Sequence, residues 1–282
     1  MKLVSFVHRG SQGFGVAVGD QIIDLGPHQA AVGTSLHEAL SRGALGHIAD
    51  IAATARSTLA LADVEYLPVI PDPGKILCVG INYASHVRET GREMPQHPMF
   101  FTRFADSQVA HGQPIIRPRI SEKLDFEGEL AVIIGKTARH VRAEDALGHV
   151  AGYACYNDGS VRDWQKHTIQ FTPGKNFPQT GAFGPWLVTT DEIPDPSQLT
   201  LTTRLNGEVV QHARTDDLIF SVGDIIAYCS TFTELRPGDV IITGTTGGVG
   251  AFRNPPLWMR PGDTVEVEIS GIGILRNGIR DE

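Results

Sequence analysis

Cysteine is scarce: three occur in 282 residues, Cys78, Cys155 and Cys229, far apart and set among apolar neighbours. They form neither the C-x-x-C pairs of a zinc site nor a disulfide framework. Three reduced, buried thiols in a cytoplasmic protein is the simplest account. No apolar run approaches the ~20 residues of a membrane span. Leu3–Val7 is cut by His8 and Arg9 before a signal-peptide core could form. Basic residues are in the minority, with 24 Lys+Arg against 32 Asp+Glu and a formal charge of −8 at pH 7. Neither a nucleic-acid partner nor a membrane face is therefore expected. Against these absences stand 41% hydrophobic and 20% charged residues, the proportions of a soluble globular chain. Thirty-one Gly and 17 Pro call for many turns rather than a helical bundle.

The first 26 residues alternate in the manner of strands, over Lys2–His8, Gly15–Val18 and Gln21–Leu25, with Ser11-Gln12-Gly13 and Gly19-Asp20 as turns. Residues 34–61 then carry Leu36, Leu40, Leu45, Ile48 and Ile51 at roughly helical spacing. Thr34 or Ser35 is the expected cap, and Gly43 divides the stretch into two helices. Leu67-Pro68-Val69-Ile70-Pro71-Asp72-Pro73-Gly74 reads as an extended, proline-stiffened connector. A boundary there separates a small α+β unit, residues 1–70, from a larger unit, residues 71–282.

In the larger unit short apolar runs predict strands at Ile76–Val79, Glu129–Ile134, Val150–Tyr156, Leu199–Leu205, Val240–Thr243 and Val265–Ile269. Arg-Pro-Gly-Asp occurs twice, at 236–239 and 260–263, and in each copy Pro-Gly suits a type II turn. No fixed period runs along the chain, which excludes a repeat architecture. The expected fold class is α+β, with a β-rich, rolled or barrel-like sheet and a few helices.

Chemistry concentrates in a few places. In Asp125-Phe126-Glu127-Gly128-Glu129, alternation puts Glu127 and Glu129 on one face at the head of an apolar strand. Two such carboxylates repel unless a cation or proton lies between them, and Mg2+ or Mn2+ would resolve that conflict. A solvated strand end accounts for the pair equally well. Asp158, at the end of another strand, could add a third carboxylate, or could merely cap the helix that follows. Asp163 reads as an ordinary helix-start carboxylate. If Asn82–Gly91 is helical, His86 and Glu89 sit at i and i+3, where a carboxylate can orient an imidazole as a general base. An exposed helix pair is the plainer alternative. Gly91–Pro98 has the composition of a mobile lid. Lys175, in a loop between Pro173 and Pro178, could polarise a carbonyl or bind a carboxylate, or simply be solvated. The glycines of Gly244–Gly250 invite a nucleotide reading. Yet no P-loop Lys-Ser/Thr is present, and Asn254-Pro255-Pro256 stands where a helix should run. Close approach to a small ligand, or a plain tight turn, is the better use of them.

Four motifs in this order, Asn82–Glu89, Asp125–Gly135, Asn157–Gln165 with Gly174–Phe177, and Ile242–Gly250, resemble the fumarylacetoacetate hydrolase superfamily in its short acylpyruvate-hydrolase-like branch. The likeness spans residues 75–279. It implies a metal, Mg2+ or Mn2+, on Glu127, Glu129 and Asp158. It also implies a lid dyad of His86 and Glu89, an active-site lysine at Lys175, and substrate contacts at Arg162, Gln165 and Thr245. The implied activity is metal-dependent cleavage of a C–C bond in acylpyruvate-type 2,4-dioxo acids, by a homodimer with a small 2-oxo acid as its partner. Isomerase, hydratase or decarboxylase action on a related 2-oxo acid is the alternative. This chain departs from the family pattern at Thr246, at Phe101-Thr102-Arg103-Phe104, at Pro178 and at Gly159. Those departures bear on the substrate more than on the metal.

Overall fold

Gly-Glu-Leu-Ala-Val-Ile-Ile, residues 128–134, forms a strand buried over its whole length. Alternation sends Leu130, Val132 and Ile134 into one apolar cluster and Ala131 and Ile133 into another. A strand that is apolar on both sides needs both faces covered, which places it inside a sheet rather than at its edge. The computed structural model describes residues 1–282 except Thr58, Gly91 and Arg92, and except the side chains of Glu89 and Thr90.

That strand pairs antiparallel with Val150–Asn157 on one side and Val240–Thr245 on the other. The sheet continues through Gly181–Thr189 to the N-terminal strands Lys2–His8, Ser11–Val18, Gln21–Asp24 and Leu59–Ala60, and in the other direction through Ile76–Gly80 to Met99–Arg103. A second sheet orders Glu208–Arg214, Thr200–Leu205, Thr264–Ile269, Gly273–Asp281 and Ile115–Arg117. Its Leu201, Val267 and Leu275 share a cluster with Leu130 and Val132. The other face of the large sheet is covered by the helical segment, through Leu36, Leu40 and Ile48. The protein is thus sheet-rich α+β. Among the described residues neither sheet closes into a barrel, so the rolled arrangement is two open sheets sharing a core.

All six strands expected in the larger unit are present, each within a residue or two of its expected ends. Ser35 caps the helix Leu36–Ser41 by accepting from the Glu38 amide, and a second helix, Leu45–Thr54, follows Gly43. The helical stretch ends at Thr54 rather than reaching Leu61, because Leu59–Ala60 pairs with Gln21–Ile22. In both Arg-Pro-Gly-Asp turns the glycine has positive φ, +86° at Gly238 and +93° at Gly262. Each aspartate folds back on its own turn: Arg236 N donates to Asp239 Oδ2 at 2.8 Å and Arg260 N to Asp263 Oδ2 at 2.7 Å. The connector is not free. Val69 and Ile70 are buried, and Ser5 Oγ donates to the Val69 carbonyl. No helix among the described residues is long and apolar enough to cross a membrane.

Candidate active site and metal centre

Register assembles the site. The antiparallel pairing that sets Gly128 opposite Asn157 continues one step further, so Asp158 N donates to the Glu127 carbonyl at 2.8 Å. Directly opposed residues share a face, so Asp158 lies on the side of Glu127 and Glu129. On the other flank Glu129 pairs with Thr245. Three carboxylates from two strands thereby converge, with one oxygen of each within 4.8 Å of the others, and all three residues are buried. The glycine between the glutamates is required by space, since a Cβ on Gly128 would meet Thr203 Oγ1 at 2.1 Å.

The solvated-strand-end account of the glutamates is therefore set aside, and so is helix capping by Asp158. The following short helix, Arg162–Gln165, has Val161 at its cap position. Asp163 does have a local role, accepting from Ser121 Oγ and from Trp164 N.

Buried carboxylates need counter-charge. Lys175 Nζ donates to Glu127 Oε2 at 2.6 Å and to Asp158 Oδ2 at 2.5 Å. Lys175 does not stand in an open loop but ends a short helix, Thr172–Lys175, and is itself buried. Arg162 Nε donates to Asp125 Oδ2 at 2.7 Å, and its Nη2 lies 2.6 Å from Glu127 Oε1. Arg103 Nη1 donates to Asp158 Oδ1 at 2.6 Å. Four carboxylates (Asp125, Glu127, Glu129, Asp158) thus face three fixed cations (Arg103, Arg162, Lys175).

The surplus falls on Glu129. Burial, and then the charges of Asp158 and Glu127, push its carboxyl well above the ordinary range, although Gly244 N donates to its Oε2 at 2.6 Å. Burial also pushes Glu127 upward, but Arg162 and Lys175 outweigh it and hold that group at about 2. For Lys175 burial favours the neutral amine, and Asp158 and Glu127 reverse that, leaving its pKa raised. A cluster with one excess buried negative charge and three converging oxygen donors fits a divalent cation with oxygen preference.

A pocket opens onto this cluster, lined among others by His86, Gln165, Thr245 and the rings of Phe101, Phe171 and Phe252. His86 comes from the helix Ala84–Thr90, so the stretch is helical, as the dyad reading required, and it meets Phe252 edge-on at 5.9 Å between ring centres. The Glu89 carboxylate, the expected partner in the dyad, lies outside the described residues, as do Gly91 and Arg92 of the expected lid. Arg162 and Gln165 are joined, Nη1 to Oε1, at 2.9 Å. The Thr245 hydroxyl donates to the Gly128 carbonyl at 3.0 Å and accepts from Gln211 Nε2 at 2.8 Å.

The glycine-rich loop turns backbone amides towards carboxylates. Gly250 N and Ala251 N donate to the two oxygens of Asp125 at 2.8 and 2.9 Å. Asp125 therefore couples Arg162 to the loop that carries Phe252, a role not assigned from sequence although the residue stands inside the strongest motif. Gln211, which bridges Gly128 and Thr245, sits in an unremarkable strand with no signal in its neighbours. In the sequence Arg103 stands out only as a departure from a family pattern.

Residues 75–280 match the family described as fumarylacetoacetate (FAA) hydrolase C-terminal. The rat protein named oxaloacetate tautomerase Fahd2a, mitochondrial, is 37% identical over 286 residues, covering 99% of this chain and 91% of its own. The fumarylacetoacetate hydrolase structure from the psychrophile Exiguobacterium antarcticum superposes with a TM-score of 0.88 at 36% identity, covering 100% of both chains. Maleylpyruvate hydrolase from Sphingobium sp. SYK-6, in complex with manganese (II) ion and pyruvate, superposes with a TM-score of 0.83 at 28% identity, covering 100% of this chain and 99% of that one.

Proposed function

The chain belongs to the fumarylacetoacetate hydrolase superfamily, and from that membership we propose that it is a divalent-metal-dependent enzyme that interconverts the keto and enol forms of a 2-oxo acid. Oxaloacetate is the first substrate to try. The observation that carries this reading is the buried cluster of Glu127, Glu129 and Asp158 with Lys175 upon it, open to a pocket that also presents His86. The 37% identity to a tautomerase over nearly the whole chain favours oxaloacetate among the possible acids.

Glu127, Glu129 and Asp158 would hold Mg2+ or Mn2+, which when bound polarises the 2-oxo group as a Lewis acid. Lys175 is kept cationic by the carboxylates around it, and its charge opposes the negative charge that develops on the substrate's 2-oxygen. In the keto-to-enol direction His86 on the pocket wall takes a proton from C3 and delivers it to the 2-oxygen. In the reverse direction it takes the proton from the 2-oxygen and gives it to C3, Glu89 being its expected orienting partner. Gln165 spends its side-chain carbonyl on Arg162, which leaves its NH2 to donate to the substrate carboxylate. Arg162 orients Gln165, and Thr245, its hydroxyl used internally, bounds the pocket.

The second reading is hydrolysis of an acylpyruvate, favoured by the same His86 and by the likeness to maleylpyruvate hydrolase. There His86 would take a proton from water as the oxygen adds to the 4-oxo carbon. The C3–C4 bond then breaks and C3 gains a proton, giving pyruvate and a carboxylic acid.

Ultraviolet absorbance of the oxaloacetate enol, followed with Mn2+, with Mg2+ and with EDTA, tests the first reading. EDTA-sensitive acceleration of its decay supports a tautomerase. Equal amounts of pyruvate and acetate from acetylpyruvate, with no effect on the enol, transfer the assignment to hydrolysis. Neither activity with either metal rejects both. A homodimer is part of the proposal, for sizing chromatography with light scattering to test. The sequence proposes the cytoplasm as the location, whereas the rat relative's name places that protein in mitochondria; cell fractionation decides.

A further inference from the structure

Arg103 lies on the last position of the strand Met99–Arg103, and its side chain is wholly buried, as is that of Asp158. Its five N–H groups meet five acceptor contacts. Nη1 donates to Asp158 Oδ1 at 2.6 Å and to the Gly159 carbonyl at 2.9 Å. Nη2 donates to Thr180 Oγ1 at 2.9 Å and to the Ser107 carbonyl at 3.4 Å, and Nε donates to Ser107 Oγ at 3.2 Å. The room for so broad a group comes from a glycine: a Cβ on Gly181 would stand 2.7 Å from Nη2.

One end of this fork grips a carboxylate of the acidic cluster. The other is anchored in backbone and hydroxyl oxygens outside it. Asp158 is held at both oxygens, Oδ1 by Arg103 and Oδ2 by Lys175. Lys175 also bonds Glu127, so it belongs to the cluster; Arg103 contacts no other carboxylate of the cluster. We propose that Arg103 is a positioning residue of the metal centre, fixing the plane of the Asp158 carboxylate so that Oδ2 is presented towards Glu127 and Glu129. This rests on the metal-centre reading above and extends it to a residue outside the ligand set. The planar fork matters as well as the charge. A lysine at 103 would bring a point charge with three rotatable donors and could not hold Asp158 Oδ1, Gly159, Thr180 and Ser107 in one plane. Partners that orient metal ligands are typically worth about 10–100-fold in metal affinity.

The test is Mn2+ binding without substrate, read from the electron paramagnetic resonance of free Mn2+, for the wild type, Arg103→Met, Arg103→Lys and Thr180→Val. Arg103→Met should weaken the Kd by about 10–100-fold and Arg103→Lys by less. Thr180→Val, which removes one anchoring bond but leaves the grip on Asp158, should bind as the wild type does. A merely structural arginine would lower the melting temperature in these variants and leave the Kd alone. If Arg103→Met fails to fold, the comparison of Arg103→Lys with Thr180→Val decides. Wild-type Kd values in folded Arg103 variants overturn the inference while sparing the metal centre. A wild type that binds no Mn2+ overturns both.

Discussion

Within the site, distance separates residues that line the pocket from those that hold them in place. Lys175 and His86 reach the pocket, whereas Asp125 reaches it only through others, accepting from Arg162 Nε, Gly250 N and Ala251 N. Replacing Asp125 with Asn would take from the guanidinium one of its two buried counter-charges, leaving only Glu127, and turn an amide donor towards backbone N–H groups. Breaking a buried pair from one side typically costs about 3–5 kcal/mol. Asp125→Asn should therefore lower the unfolding free energy measured in urea by about that amount. It should also raise KM more than it lowers kcat, because the loop of Phe252 and the Arg162–Gln165 pair lose their common anchor. An unchanged unfolding free energy with unchanged kinetics would show that these three bonds to Asp125 carry no weight. At this scale the pattern made it legible that Glu127 and Glu129 share a face and that Asp158 ends an apolar run, while their grouping as one set came from the family resemblance. The roles of Arg103 and Gln211 were not legible, since the carboxylate partner of Arg103 lies 55 residues away and the nearest side-chain partner of Gln211 lies 34 away.

Among elements, one helix start was readable. Thr34 or Ser35 is the cap the sequence predicts, and Ser35 is the one that caps the helix Leu36–Ser41, while Glu38 accepts from Thr34 N and Thr34 Oγ1, each at 2.7 Å. These bonds, led by the Thr34 hydroxyl and joined by Arg42, hold the exposed Glu38 carboxyl at about 2, below its ordinary 4.5. A depressed carboxyl stabilises the fold fully above its unfolded value and loses that contribution as pH falls through the folded one. The wild type should therefore be more stable than Glu38→Gln at neutral pH, with the gap closing between about 4.5 and about 2. Thermal melts of both proteins across that range check the sign, and a gap that widened on acidification would contradict it. The helix Val222–Phe232 escaped the sequence reading although it has a full capping box of Ser221 and Asp224. Its buried stripe of Val222, Ile225, Ile226 and Cys229 is short and lies beside strand-like neighbours.

For the whole molecule, the N-terminal strands are continuous with the sheet that carries the site. Leu3 pairs with Leu187, and Gly181–Thr189 bonds on its far side to Val150–Asn157, the strand that ends next to Asp158. The apolar cluster under the site mixes Leu3, Phe14, Leu36 and Leu40 with Ala131, Tyr156 and Phe183. A chain starting at Pro71 would expose half of that cluster and leave Gly181–Thr189 as an open edge. We expect it to aggregate or to lose cooperative unfolding. Sizing chromatography and circular dichroism melts check this, and a monodisperse fragment melting as the full chain does would refute it.

Local pattern alone was enough for six strands of the larger unit, though not for Gly181–Thr189, Glu208–Arg214 or Gly273–Asp281, and for the two Pro-Gly turns and the parity of the glutamates. Each depends on a few consecutive residues and on an alternation that no distant contact alters. The order of strands, the joining of the first residues to Gly181–Thr189 and the gathering of Arg103, Asp125, Arg162 and Lys175 around three carboxylates are decisions of the tertiary structure. Burial makes every unpaired charge costly, so the compact chain must bring a cation to each carboxylate from wherever it lies in sequence. The surplus that falls on Glu129 exists only because four carboxylates and three cations, drawn from distant parts of the sequence, meet in one buried place.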